Sequence, residues 1–216
     1  ILKAAAGGGG RGMRVVEREE DIEKAFWSAE SEAMSAFGDG TMYMEKYILN
    51  PRHIEVQIIG DSHGNVLHIG ERDCSMQRRH QKLIEESPAI LLDEATRERL
   101  HETAIKAAKA IGYEGAGTFE FLVDKNLDFY FIEMNTRLQV EHCVSEMVSG
   151  LDIIELMIKV AQGEALPSQE SITLKGHAIE CRITAEDPNT FTPSPGKITK
   201  YVCPGGRNVR MDSHIY

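Results

Sequence analysis

The chain has 216 residues, 42% apolar and 27% charged, and a formal net charge of −10; it is long enough for one large domain or a domain with an appendage. No apolar run approaches the roughly 18 residues of a membrane span, and an acidic balance argues against a nucleic-acid binder, whose footprint is basic. Cys74, Cys143, Cys181 and Cys203 lie far apart with no Cys-x-x-Cys pair, so they read as free thiols of a reducing cytoplasm, neither a disulfide framework nor a zinc site.

Residues 1–5 read as a strand, 6–12 as a glycine-rich loop with Lys3 and Arg11 beside it, and 13–16 as a second strand. Such a hairpin can lay unhindered backbone N–H groups against phosphate oxygens. Neither Gly-x-Gly-x-x-Gly before a helix nor a Gly-Lys-Ser/Thr motif is present, which disfavours Rossmann and P-loop assignments. Residues 19–37 have helical periodicity, with Ile22, Ala25, Phe26, Ala29, Ala33 and Phe37 on one face, and residues 42–48 read as a strand. After Pro51 comes a hairpin in which Ile54, Val56 and Ile58 alternate with Glu55 and Gln57, followed by a turn over 61–65 and a return over 66–70. A lone histidine such as His53 is more often structural than functional.

Arg72, Arg78, Arg79, His80 and Lys82 form the strongly basic stretch. Within an acidic protein, this local cluster suits a small, highly charged ligand such as ATP better than a polynucleotide. Residues 93–111 read as a helix capped by Asp93, and 115–123 as a strand with Phe119, Phe121 and Val123 on one side and Glu120 on the other. A turn over 124–127 leads into Phe129-Tyr130-Phe131-Ile132, an apolar strand entry that reads as buried. Beyond it, Glu133, Asn135, Arg137, Gln139 and Glu141 alternate with apolar or neutral residues, which puts them on one face of an extended chain. The hairpin sets Glu120 beside Glu133. Two carboxylates so placed repel unless a cation lies between them, and Mg²⁺ held by Glu120, Glu133 and Asn135 resolves the conflict.

Two helices follow, over 142–149 and 152–161, the second burying Ile153, Ile154, Met157 and Val160. Residues 177–185 read as a strand with Ile179, Cys181 and Ile183 inward and Glu180 and Arg182 opposite; 198–202 and 209–211 read as further short strands. The chain opens in mid-strand at Ile1 and stops abruptly, which suggests a piece of a longer protein.

Phe131 to His142, Phe-Ile-Glu-Met-Asn-Thr-Arg-Leu-Gln-Val-Glu-His, closely resembles the active-site segment of biotin carboxylases, members of the ATP-grasp superfamily. Glu-Arg-Asp-Cys-Ser-Met-Gln-Arg-Arg-His-Gln-Lys at 71–82 and Lys3 with its glycine run resemble the same family. The resemblance implies an α+β ATP-grasp fold, with a small lid over residues 1–47 and a larger, mainly antiparallel sheet domain over 48–216. It implies a nucleotide site formed by Lys3, Gly8, Gly9, Gly10, Glu45, Lys46, Tyr47, Ile48, His53, Gln77, His80, Glu120, Leu122 and Glu133. Mg²⁺ or Mn²⁺ would sit on Glu120, Glu133 and Asn135. Lys82, Arg137, Gln139, Val140, Glu141 and Arg182 would meet bicarbonate and biotin, with Arg137, Glu141 and Arg182 catalytic.

The activity implied is ATP-dependent carboxylation of biotin on a biotin carboxyl carrier protein, through carboxyphosphate. This is the first half-reaction of a carboxylase such as acetyl-CoA carboxylase in fatty acid synthesis, with a carboxyltransferase as further partner and a homodimeric full-length protein. The family's N-terminal lobe is missing, so the fragment is expected to fold but to be inactive. Cys143 stands where the family usually has proline, and the absence of a Met-Lys-Met biotinylation site puts the carrier elsewhere. A carbamoyl-phosphate-type ATP-grasp ligase and a silent nucleotide-binding module are the alternatives. The Gln-Val-Glu-His run argues against the first, and the intact set of Glu120, Glu133, Asn135, Arg137 and Glu141 against the second.

Overall fold

In the computed structural model, residues 1–7 and 11–215 are described; the predicted phosphate-loop residues Gly8, Gly9 and Gly10 lie outside them. Strands β1 (Leu2–Ala4) and β2 (Met13–Arg14) pair antiparallel, and helix α1 (Ile22–Phe37) leads to β3 (Met42–Met44), which takes the other edge of β1. This sheet is too small to cover the whole apolar face expected of α1. Only Ala29 and Ala33 are fully buried, and Phe37 is exposed. The strand predicted over 42–48 stops at Met44 because its partner β1 is only three residues long.

The larger sheet is built from β4 (Arg52–Gly60), β5 (Val66–Arg78), β6 (Gln81–Ser87), β7 (Gly115–Val123), β8 (Phe129–Asn135) and β9 (Ala178–Cys181), in spatial order β8-β7-β4-β5-β6-β9 with every pair antiparallel. Helix α2 (Glu94–Ala110), capped by the Asp93 side chain on the Thr96 N–H at 2.8 Å, covers one face. Leu100, Ala104 and Ala108 pack there on Ile54, Val56, Ile58, Phe119, Phe121 and Val123. The other face is covered by α3 (His142–Ser149) and α4 (Ile153–Ala161); under α4 it is apolar, with Ile59, Leu67, Ile69, Ala116, Ile153 and Val160. Ile154, expected inside, is exposed. No helix among the described residues is long and apolar enough to cross a membrane.

Three expectations are corrected at the sheet margins. The stretch entered as Phe-Tyr-Phe-Ile is an edge strand, with Phe131 exposed, rather than a buried one. It ends at Asn135, so the polar alternation through Glu141 is not one extended face; the chain turns and starts α3 at His142. On β9, Ile179 and Cys181 point outward and Glu180 is partly buried, the reverse of the predicted sides. A hydrophobic pattern misleads there because the sheet face β9 joins is charged. Residues 183–215 form a separate unit with no strand over 198–202 or 209–211, tied by an isolated Glu186–Pro193 bridge. All four cysteines are free.

One irregularity sets the phase of β5 on the polar face. On β5, Ile69 and Gly70 stand opposite the single residue Gln57, because Ile58 pairs with His68 and Val56 with Glu71. This is a β-bulge, and Gly70 at its corner has φ 75°, a left-handed conformation that glycine adopts without strain. The extra residue re-phases the strand. Before it, His68 stacks on His101 of α2 at 4.0 Å; after it, Glu71 faces that helix, and Arg72 turns to the opposite face. Glu71 is fully buried and accepts from Arg97 Nε at 2.8 Å and the Ala89 N–H at 3.1 Å, with His101 Nε2 at 2.7 Å.

Gly70→Ala should destabilise the protein by about 1–3 kcal/mol through left-handed strain, and its Cβ would stand 2.7 Å from Leu174 Cδ1. An unchanged urea midpoint would show that the bulge tolerates a side chain. Glu71 gives a pH test. Burial alone raises its pKa, but His101 and Arg97 outweigh burial and hold it at about 2, below the ordinary 4.5. A depressed carboxyl contributes stability above its unfolded pKa and loses it as pH falls through the folded one. The stability gap between wild type and Glu71→Gln should therefore shrink as pH drops from 4.5 towards about 2; a constant gap would refute this assignment.

Candidate active site

Next to the apolar patch under α4, the same sheet face is charged, and Arg72 lies at its centre. The side chain is fully buried. Its Nη1 donates to Gln57 Oε1 at 2.7 Å and Ser145 Oγ at 3.0 Å; its Nη2 donates to Gln139 Oε1 at 2.9 Å, Thr118 Oγ1 at 3.1 Å and Glu55 Oε2 at 3.2 Å. A planar fork with several donors can satisfy this ring of acceptors, and lysine cannot. Gln139, held by Arg72 through its oxygen, donates its own amide to Glu120 Oε1 at 2.9 Å.

A second layer lies above this one. Lys82 Nζ, near the start of β6, donates to Glu55 Oε1, to Glu141 Oε1 at 2.8 Å and to Glu120 Oε1 at 3.0 Å. Burial opposes its charge, but Glu55 and Glu141 outweigh burial and push its pKa up. His53 Nε2 lies 2.7 Å from Glu120 Oε2 and 3.2 Å from Glu55 Oε1; burial lowers its pKa, yet these two carboxylates raise it to about 9. Gln77 Nε2 lies 3.2 Å from His53 Nδ1 and donates to the Cys74 carbonyl at 2.8 Å. Burial pushes the Cys74 thiol well up, which makes it a poor nucleophile.

At the β7–β8 end, Glu120 and Glu133 are ladder partners, and Asn135 Nδ2 donates to Glu120 Oε1 at 2.8 Å and Glu133 Oε1 at 3.4 Å. An amide donor thus stands where a cation would neutralise both carboxylates. The donor set of two carboxylates and an amide oxygen fits a hard divalent ion, with Asn135 turning its oxygen inward. Arg137 lies at the rim, donating to Asn135 Oδ1 at 3.3 Å and the Leu138 carbonyl at 3.2 Å. Arg182, just past β9, donates to Glu141 Oε2 at 2.9 Å and to Glu85 Oε1 at 2.7 Å. Both oxygens of the buried Glu141 are therefore held by cations.

The structure brings together His53, Gln77, Lys82, Glu120, Glu133, Asn135, Arg137, Gln139, Glu141 and Arg182. It places others apart from this cluster. Lys3 pairs with Glu45 in the small sheet, Lys46, Tyr47 and Ile48 follow β3, His80 sits with φ 65° in the β5–β6 turn, and Val140 is exposed. Leu122 is the ladder partner of His53. Sequence reading missed Glu55, Gln57, Thr118, Ser145 and Glu85, and took Arg72 for part of a basic cluster suited to a small, highly charged ligand, whereas it is buried beneath the site. Glu55 and Gln57 carried a usable signal: polar residues alternating within a strand that proves central.

Residues 1–169 match the family model "Carbamoyl-phosphate synthase L chain, ATP binding domain", and residues 180–216 match "Biotin carboxylase C-terminal domain". The fold is that of an ATP-grasp protein. The chain is 56% identical over its whole length to the biotin carboxylase of Nostoc sp., covering 49% of that protein, and 56% identical to the biotin carboxylase of Pseudomonas aeruginosa, covering 48%. It is similar to a crystal structure of a Campylobacter jejuni biotin carboxylase complex with β-γ-ATP, at 87% identity and TM-score 0.94, over 100% of this chain and 48% of that one. The biotin carboxylase domain dimer of Hydrogenobacter thermophilus 2-oxoglutarate carboxylase, solved with MgADP, ADP and bicarbonate, matches at 55% identity and TM-score 0.87, over 95% and 46% of the respective chains. The chain belongs to the biotin carboxylase family, and it spans about half the length of the curated relatives it matches.

Removing the Arg72 side chain would leave Glu55 buried without its guanidinium. Arg72→Ala should cost about 3–5 kcal/mol, measured by chemical denaturation, and Arg72→Lys should recover only part of it. Near-native stability of either variant would contradict the central role given to Arg72.

Proposed function

We propose that this chain carries half of the catalytic apparatus of an ATP-dependent biotin carboxylase. The observation that supports this best is the Glu141 carboxylate clamped between Lys82 and Arg182, beside the Glu120, Glu133 and Asn135 donor set. An entering bicarbonate anion competes for the same two cations. As Lys82 and Arg182 transfer to it, Glu141 is released to take its proton, and the bicarbonate oxygen attacks the terminal phosphate of ATP to give carboxyphosphate and ADP. Arg137 and Arg182 hold the anions that develop; the carboxyl passes from carboxyphosphate to N1′ of biotin, and the phosphate released as the C–O bond breaks takes up the N1′ proton. A Mg²⁺ or Mn²⁺ ion on Glu120, Glu133 and Asn135 supplies charge neutralisation for the nucleotide phosphates.

In this reading residues 1–47 form the lid and 48–216 the sheet domain. Lys3, Gly8, Gly9, Gly10, Glu45, Lys46, Tyr47, Ile48, His53, Gln77, His80 and Leu122 serve the nucleotide; Gln139 and Val140 lie beside bicarbonate and biotin. The partners are a biotin carboxyl carrier protein and a carboxyltransferase, in a cytoplasmic enzyme that is a homodimer at full length.

In the full-length enzyme, Arg137→Ala should lower kcat for bicarbonate-dependent ATP cleavage in the presence of biotin by about 10²–10³-fold, with the KM for ATP little changed. A rate close to wild type would remove Arg137 from the chemistry.

A further inference from the structure

Glu85 and Glu180 face each other across the β6–β9 ladder. Like charges so placed repel, and here the environment makes the repulsion worse. Glu85 is fully buried; its Oε1 receives Arg182 Nε at 2.7 Å. The other oxygen of each residue, Glu85 Oε2 and Glu180 Oε2, is buried without a hydrogen-bond partner among the described residues. One proton between these two oxygens would give both a partner and remove one of the two charges.

We propose that Glu180 shares a proton with Glu85 on the acid side of neutrality, an acid pair that sets how tightly Arg182 is held. Burial, then the neighbouring Glu85, pushes the Glu180 pKa up to about 7, and burial pushes Glu85 up as well. The other charged groups acting on Glu180 are Arg182 and Arg72, which oppose this rise, and Glu141, which adds to it. From α3, packed against β9, the titratable groups are His142 and Glu146, 3.8 Å from each other, and Cys143. Glu86, next on β6, lies 3.2 Å from His177 instead.

Glu180 is thus a positioning residue acting through Arg182. With the proton in place, the pair carries a single charge, matched by one guanidinium, and Arg182 can exchange its Glu141 contact for a substrate anion. Without the proton, a second negative charge holds Arg182 on the β6–β9 side and weakens its grip on that anion. The role of Arg182 rests on the biotin carboxylase reading; the shared proton does not.

Two measurements on the full-length enzyme test this separately. Infrared spectra of the wild type should contain a protonated-carboxyl carbonyl band at about pH 6 that titrates away towards about pH 9 and is missing in Glu180→Gln. A wild-type spectrum without that band overturns the shared proton, whether or not the enzyme carboxylates biotin. In kinetics, the wild-type KM for bicarbonate should rise severalfold across the same titration with kcat little changed. Glu180→Gln, whose amide N–H replaces the shared proton, should keep the low-pH KM throughout, within about twofold. An equal rise in both proteins overturns the positioning role, because a merely structural Glu180 would leave the pH profile unmoved.

Discussion

A guanidinium with no exposed surface at the centre of a sheet is the constraint on which the polar half of this molecule depends. Moving such a charge out of water costs several kcal/mol, which the fold recovers only by surrounding it with well-placed acceptors. Arg72 obtains them from β4, β7 and the loop and helix that close the site: Glu55, Gln57, Thr118, Gln139 and Ser145. Each of those side chains is thereby fixed in direction. Two of them pass the order outward, Glu55 to Lys82 and His53, and Gln139 to Glu120. The outer groups of the candidate site are thus held by a buried ion.

The sheet divides its labour by face and by end. Its α2 face and the part under α4 are largely apolar and supply burial. The remaining part, between α3 and the β6–β9 edge, concentrates carboxylates and cations in alternation, so that Glu55, Glu85, Glu120 and Glu141 each meet a cation or an amide donor. Such a surface is organised in advance, because its cations are already paired and pointed. It is also poised to exchange partners. On the proposed function, an anion entering beside Glu141 would replace one oxyanion contact with another, with little reorganisation.

Gly70 shows how local backbone chemistry controls this arrangement. Without the bulge, strict alternation along β5 would send residue 72 towards α2 and residue 71 towards the charged face. One extra residue exchanges them, placing Glu71 with Arg97 and His101 and Arg72 with Glu55. The same re-phasing explains why a run of basic residues in the sequence does not form one basic surface: Arg72 is buried, and Lys82 sits on the neighbouring strand.

Much was legible in the sequence by itself. The helices α2 and α4 follow from periodicity, and α2 also from its cap Asp93. The β7–β8 hairpin follows from a turn between two apolar strands, but the meeting of Glu120 and Glu133 does not: strict register from that turn would set Glu120 opposite Ile132, and only a register shift between Glu120 and Phe121 brings the two carboxylates together. Family resemblance named most of the remaining site. What only the tertiary structure decided were the long-range facts: that β4 is central, so that Glu55 and Gln57 are buried; that β8 and β9 are edges, so that Phe131 and Ile179 are exposed; and that Arg72 points inward. Strand order and bulge phase depend on which segments meet across the chain, and residue pattern records only how each segment divides between an apolar side and a polar one. When the polar side is itself the interior of a charged site, that division no longer distinguishes inside from outside.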